Sequence, residues 1–168
     1  KNMKFSQDSQ RGTGGDLLHI QKELKNESEF LLWFVDNLCA LDITKMRKTF
    51  KEKNSLACIA TRTKRKEETG FAVVDDEIIT EFKEKPIMKL QLSECLGIYM
   101  LGKEIIDRIK KKKKKQVNLS FDILQELSKE GKISAHDIEQ REWIDAESQM
   151  ILERNEKLVT KIIKQMGL

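Results

Sequence analysis

The chain of 168 residues carries 32 lysines and arginines against 28 acidic residues, a formal charge of +4, and 39% of it is apolar. That suffices for one domain with its own core, and a single domain over residues 1–168 is expected. The excess of positive charge is local, because the six-lysine run Lys110–Lys115 exceeds it, and no aromatic residue interrupts the run to stack on bases. A solvated, mobile helix end or loop is therefore expected there, and no nucleic-acid partner. No apolar stretch approaches the ~18 residues of a membrane helix and none reads as a secretory leader, so a cytoplasmic protein with no membrane partner is expected. Cys39, Cys58 and Cys95 lack Cys-x-x-Cys spacing, lie in apolar strand-like settings and read as reduced core residues.

In chain order, Leu17, Ile20 and Leu24 recur at helical spacing after Gly15-Asp16. Phe30–Val35 is a continuous apolar run, as in a strand buried on both faces. Ile43–Lys53 reads as a helix with Asp42, or Asp36-Asn37, near its start, and Leu56–Ala60 as the next strand. Between Gly70 and Phe82, Asp75-Asp76-Glu77 separates two β-rich runs, which predicts a hairpin and hence a mixed sheet. Pro86, with no amide hydrogen to donate, stops the second of these strands. A strand follows at Leu96–Leu101 and a helix at Lys103–Lys111; Phe121, Leu124 and Leu127 mark one helical face. Ile133–Ile138 reads as a strand, and Glu147–Met166 as one long helix with the stripe Ile151, Leu158, Ile162 and Met166. Alternation of this kind predicts an α/β fold, a mixed and mostly parallel sheet with helices on both faces.

Several residues can carry chemistry. Glu84 can accept hydrogen bonds from sugar hydroxyls and Lys85 can hold a phosphate as a compact charge, or the two form a surface ion pair. Asp36 and Asp145 each follow an apolar strand, where they either cap the next helix or bind a hard cation at the ligand edge of the sheet. Gly12-Thr13-Gly14-Gly15 is either a flexible helix start or a turn over which a flat ring packs closely. His19 and His136 have no serine or cysteine arrangement that suggests a nucleophile.

The order of these motifs, Gly12-Thr13-Gly14-Gly15, Phe30–Leu38, Gly70–Val74, Glu84-Lys85-Pro86, Gly97-Ile98-Tyr99 and Trp143-Ile144-Asp145, resembles the sugar-phosphate nucleotidylyltransferases, from about Phe5 to about Asn155. The resemblance implies a Rossmann-like nucleotide-diphospho-sugar transferase fold. It also implies that a sugar-1-phosphate oxygen attacks the α-phosphorus of a nucleoside triphosphate, with release of pyrophosphate and with Mg²⁺ as cofactor. Carried over by position, Asp36 and Asp145 are the metal ligands, Gly12, Thr13, Gly14 and Gly15 lie against base and ribose, and Gly70, Glu84 and Gly97 line the sugar. Lys85 holds a phosphate, and Asp36, Lys85 and Asp145 are the catalytic set. The family's opening Gly-rich phosphate loop has no counterpart, so an amino-terminal part is expected to be missing. The chain should then pair with such a fragment or with itself, because Phe30–Val35 and Leu56–Ala60 would stand exposed. Phe34-Val35-Asp36 stands where the family has Asn-Gly-Asp, Cys95-Leu96-Gly97 where it has Asn-Ala-Gly, and Ala146-Glu147 where it has Gly-Thr. These changes keep open a noncatalytic regulatory or assembly subunit of the same fold.

Overall fold

Strand order explains most of the molecule. The computed structural model describes residues 3–167. Its main sheet has four strands in the order β1 (Glu29–Trp33), β6 (Ile87–Gly102), β3 (Ala57–Lys66) and β7 (Ile133–Asp137). β1, β3 and β7 run one way, and β6 lies antiparallel between β1 and β3. Helices cover both faces. One face buries Leu17 of α1 (Gly12–His19), Ile105, Ile106 and Ile109 of α3 (Glu104–Lys111), and the segment Leu119–Leu127 against Ala57, Tyr99 and Leu101. The other buries Met46 and Phe50 of α2 (Ile43–Glu52) against Cys58, Ala60, Ile98 and Met100. Each fully buried Leu, Ile or Met contributes about 1.5–3 kcal/mol.

Two small β ladders complete the fold. β2 (Asn37–Cys39) pairs antiparallel with β8 (Trp143–Asp145), and β4 (Phe71–Asp75) pairs with β5 (Ile78–Lys83) as the expected hairpin. Its turn residues Asp76 and Glu77 both have positive φ, 44° and 64°, the backbone that a two-residue hairpin turn requires.

Several expectations need correction. The apolar run at Phe30–Val35 is not buried on both faces: β1 is half-buried along its length and Val35 is exposed in a turn. The cause is position, since β1 is an edge strand with one neighbour. Leu56–Ala60 is not exposed either, because β3 lies between β6 and β7 and Ala57, Cys58 and Ala60 are fully buried. The face Phe121, Leu124, Leu127 is broken by a π-helical turn, Leu119–Leu124, leading into α4 (Gln125–Lys129). The wider turn rotates Phe121 outward to 70% exposure and buries Leu119 and Ile123 instead. The helical spacing of Leu17, Ile20 and Leu24 outlasts α1, which ends at His19. The terminal helix is two helices, α5 (Gln149–Arg154) and α6 (Glu156–Met166), interrupted at Asn155. Of its predicted stripe, Ile162 is fully buried and Met166 is 39% exposed. The lysine run is partly ordered, with Lys110, Lys112 and Lys114 paired to Asp107, Glu126 and Asp122.

Candidate functional site

Asp36 stands in the turn immediately before β2, and Asp145 is the last residue of β8, at the same end of the ladder. Asn37 pairs with Asp145, and the Ala146 amide donates to the Asp36 carbonyl at 2.6 Å. Neither aspartate caps a helix. Asp42 caps α2 by accepting from the Lys45 amide at 2.9 Å, and Ser148 caps α5 by accepting from the Ile151 amide. The capping alternative therefore falls to other residues. Asp145 Oδ1 is buried and has no hydrogen-bond partner, an expense that a bound cation would offset.

Asn37 holds this site together, and sequence reading did not single it out. Its side-chain amide donates to Asp36 Oδ1 at 2.7 Å, its side-chain carbonyl accepts from Trp143 Nε1 at 2.9 Å, and its backbone carbonyl accepts from Trp33 Nε1 at 2.7 Å. The Trp143 ring in turn carries the Arg62 guanidinium 4.6 Å above its centre, and Arg62 is ion-paired with Glu94 at 2.7 Å. The signal available was a buried-type amide directly after the candidate metal aspartate, with two tryptophans whose N–H groups need acceptors.

Gly97 belongs to the same group. It has φ +67° and lies in an irregular stretch of β6 between the rungs Ile59↔Tyr99 and Thr61↔Cys95. A Cβ there would stand 2.9 Å from Asn37 Nδ2 and 3.2 Å from Phe34 Cδ2. Only glycine permits that backbone and that approach.

Gly70, Glu84 and Lys85 form a second group at the root of the hairpin. A Cβ on Gly70 would stand 3.1 Å from Glu84 Oε2, and Lys85 takes a left-handed backbone with φ 45°. All three are exposed, and among the described residues Glu84 and Lys85 form no ion pair. Along β3, the rung facing Ile87 is six residues from the level of Gly97, about 20 Å at strand spacing. The structure therefore brings Asp36, Gly97 and Asp145 together and leaves Gly70, Glu84 and Lys85 as a separate cluster.

Gly12–Gly15, the first turn of α1, are a third group. Their close approach is to Val117: the Gly14 amide donates to the Val117 carbonyl at 2.9 Å, and a Cβ on Gly12 would stand 2.8 Å from that oxygen. Thr13 Oγ1 accepts from the Leu119 amide at 2.9 Å. These glycines pack one chain segment on another, and Gly14 and Gly15 are buried.

Among the described residues no cluster of three or more His, Cys, Asp or Glu side chains forms a metal cage. The available donor set is the aspartate pair, which fits an ion that keeps water and phosphate oxygens as its other ligands, as Mg²⁺ does. His136, 9% exposed, has its pKa lowered by burial and by Arg141, against the opposing pull of Asp42 and Glu139. It is a structural group. Cys39, Cys58 and Cys95 are free thiols, but only Cys39 and Cys58 are the expected core residues, since Cys95 is exposed; burial pushes Cys39 up to about 11.

Comparison with known proteins agrees with this architecture. The sequence profile of the nucleotidyl transferase family matches residues 2–158. Among solved structures, one described as a glucose-1-phosphate thymidylyltransferase from Bacillus anthracis in complex with a sucrose superposes with a TM-score of 0.67 at 22% identity, covering 93% of this chain and 64% of that one. HddC from Yersinia pseudotuberculosis superposes with a TM-score of 0.58 at 21% identity, covering 90% and 62%. The chain thus spans somewhat under two thirds of the length of these structures, and at such identities the likeness is one of fold. A search of curated proteins gives no match. With a profile match over nearly its whole length and the corresponding mixed α/β fold, the chain belongs to the nucleotidyl transferase family.

Proposed function

We propose that this chain takes part in transfer of a nucleotidyl group from a nucleoside triphosphate to a sugar-1-phosphate, with Asp36 and Asp145 holding Mg²⁺. The observation that carries the reading is the placement of both aspartates at one end of the β2–β8 ladder, with Asp145 Oδ1 buried and unpartnered and Asp36 Oδ1 accepting from Asn37. Bound Mg²⁺ supplies a hard Lewis acid that neutralises phosphate charge. Asn37 keeps Asp36 turned to its task, and Gly97 leaves room for Asn37. Gly12–Gly15 would meet the base and ribose, and Gly70, Glu84 and Lys85 the sugar phosphate, once the hairpin root and the carboxylate pair are brought together around substrate. The cytoplasm is the proposed compartment, in keeping with three free thiols.

A second reading has its own support. The separation of Glu84 and Lys85 from the carboxylates, and the use of the glycine turn in packing on Val117, suit a noncatalytic regulatory or assembly subunit of this family. Pyrophosphate release from a nucleoside triphosphate, sugar-1-phosphate and Mg²⁺ distinguishes the two. The enzyme reading expects release that is abolished in Asp36→Asn and Asp145→Asn. Release by neither the wild-type chain nor its complex with a longer family partner would leave the noncatalytic reading.

The metal site has a test without turnover. Mg²⁺ should raise the melting temperature of the wild type by mass action, and Asp145→Asn should lose that rise while melting no lower without metal, since it removes a buried unpaired charge. A lower melting temperature with the Mg²⁺ response intact would make Asp145 structural.

A further inference from the structure

The Asp36 carboxylate ends a chain of contacts that starts on the main sheet. Glu94 is ion-paired with Arg62 at 2.7 Å, and the Arg62 guanidinium lies 4.6 Å above the centre of the Trp143 ring. Trp143 Nε1 donates to Asn37 Oδ1 at 2.9 Å, and Asn37 Nδ2 donates to Asp36 Oδ1 at 2.7 Å. Asn37 is buried. An indole N–H can only donate, and a side-chain amide has one accepting end. Trp143 therefore decides which end of the Asn37 amide faces it, and the donating end is left for Asp36. Turned the other way, the amide would set N–H against N–H at Trp143 and oxygen against carboxylate oxygen at Asp36, and both bonds would be lost. The Trp143 backbone is fixed by its rung with Cys39, and its ring is covered by Arg62. Trp33 bonds the same asparagine differently, its Nε1 donating to the Asn37 backbone carbonyl at 2.7 Å. That bond holds the chain and leaves the amide to Trp143.

We infer that Trp143 is a positioning residue for Asp36: acting through Asn37, it keeps Asp36 Oδ1 engaged and leaves Oδ2 to meet a cation. The inference rests on the reading of Asp36 and Asp145 as ligands of Mg²⁺, and it adds a preference to that site. Among the described residues Asp36 Oδ2 accepts no hydrogen bond. A carboxylate with one oxygen engaged offers the other singly. That suits the small, octahedral Mg²⁺, whereas Ca²⁺ takes more oxygens and often both from one carboxylate. Without the Trp143 N–H the Asn37 amide is free to turn, Asp36 gains a second free oxygen, and the disadvantage of Ca²⁺ shrinks.

The test compares Trp143→Phe with Trp33→Phe in the whole chain. Each removes one indole N–H bonded to Asn37, at the side chain in the first and at the backbone in the second. Without metal, NMR of the Asn37 side-chain amide should show slowly exchanging protons in the wild type and in Trp33→Phe, and freely exchanging ones in Trp143→Phe. With metal, melting-temperature shifts across a concentration series of Mg²⁺ and of Ca²⁺ give the ratio of the two affinities. That ratio should fall about threefold to tenfold in Trp143→Phe, the worth of one hydrogen bond, and hold in Trp33→Phe even where that variant melts lower. Matching effects of the two variants, or an Asn37 amide unchanged in Trp143→Phe, would make Trp143 a structural residue only and overturn the inference. A wild type that answers to neither cation, while Trp143→Phe still releases the amide, sinks the Mg²⁺ reading and leaves the positioning of Asp36 standing. Should Trp143→Phe not fold, the wild type decides alone: slow exchange at the Asn37 amide supports the inference, and exchange as free as at an exposed asparagine refutes it.

Discussion

Asn37 uses both ends of its side-chain amide inside the molecule, donating to Asp36 and accepting from Trp143. Asn37→Ala leaves the Trp143 N–H without its acceptor in a part-buried setting, and the expected loss is about 1 kcal/mol, read by urea denaturation. Asn37→Asp should do worse for the site, because an acceptor would face the Asp36 carboxylate where a donor now stands. Mg²⁺-induced stabilisation should fall in both variants. Gly97→Ala should mimic them by pressing on Asn37, at a cost of about 1–3 kcal/mol from the positive φ and the contact together. At His136 the folded pKa lies below the ordinary 6.5, so below that pH the unfolded chain binds more protons than the folded one. Its neutral form thus contributes stability that is complete above pH 6.5 and is lost progressively as pH falls toward the lowered folded value. Urea midpoints of wild type and His136→Gln measured from pH 7.5 to 5 should show the shallower decline in the variant.

Elements differ in how firmly they are held. β3 has neighbours on both sides and fully buried residues at Ala57, Cys58 and Ala60. The β4–β5 hairpin has only itself, and every residue of its strands is exposed, including Ile78 at 66% and Phe82 at 62%. Hairpin amides should accordingly exchange with solvent well before those of β3, a difference hydrogen exchange reads directly. Its turn places Glu77 at φ 64°, where a side chain costs about 1 kcal/mol, so Glu77→Gly should slow hairpin exchange without touching the core. The hairpin was legible beforehand because turn residues between two β-rich runs are a local signal. The π turn at Leu119–Leu124 was not, since apolar spacing alone does not reveal a wider helical turn that tertiary packing imposes.

At the scale of the whole molecule, the β1 edge and the apolar hairpin are surfaces that invite association. Light scattering across a concentration series should report self-association, and replacing Val73 and Ile79 on the hairpin with lysine should reduce it; a monomer at all concentrations would refute this. Periodicity and turn residues pointed to an α/β fold with a hairpin and a mixed sheet, because each depends on neighbours close in the chain, and the ordered motifs carried the resemblance to the family that the profile match shows. They also marked Asp36, Gly97 and Asp145, though not why these belong together. That depended on the β2–β8 ladder, which joins residues more than a hundred positions apart and placed Asn37 between both aspartates and the two tryptophans. The same long-range pairing made β1 an edge and β3 a centre, and held Glu84 and Lys85 away from the carboxylates. Strand order is set by packing between distant segments, and no local pattern of residues encodes it.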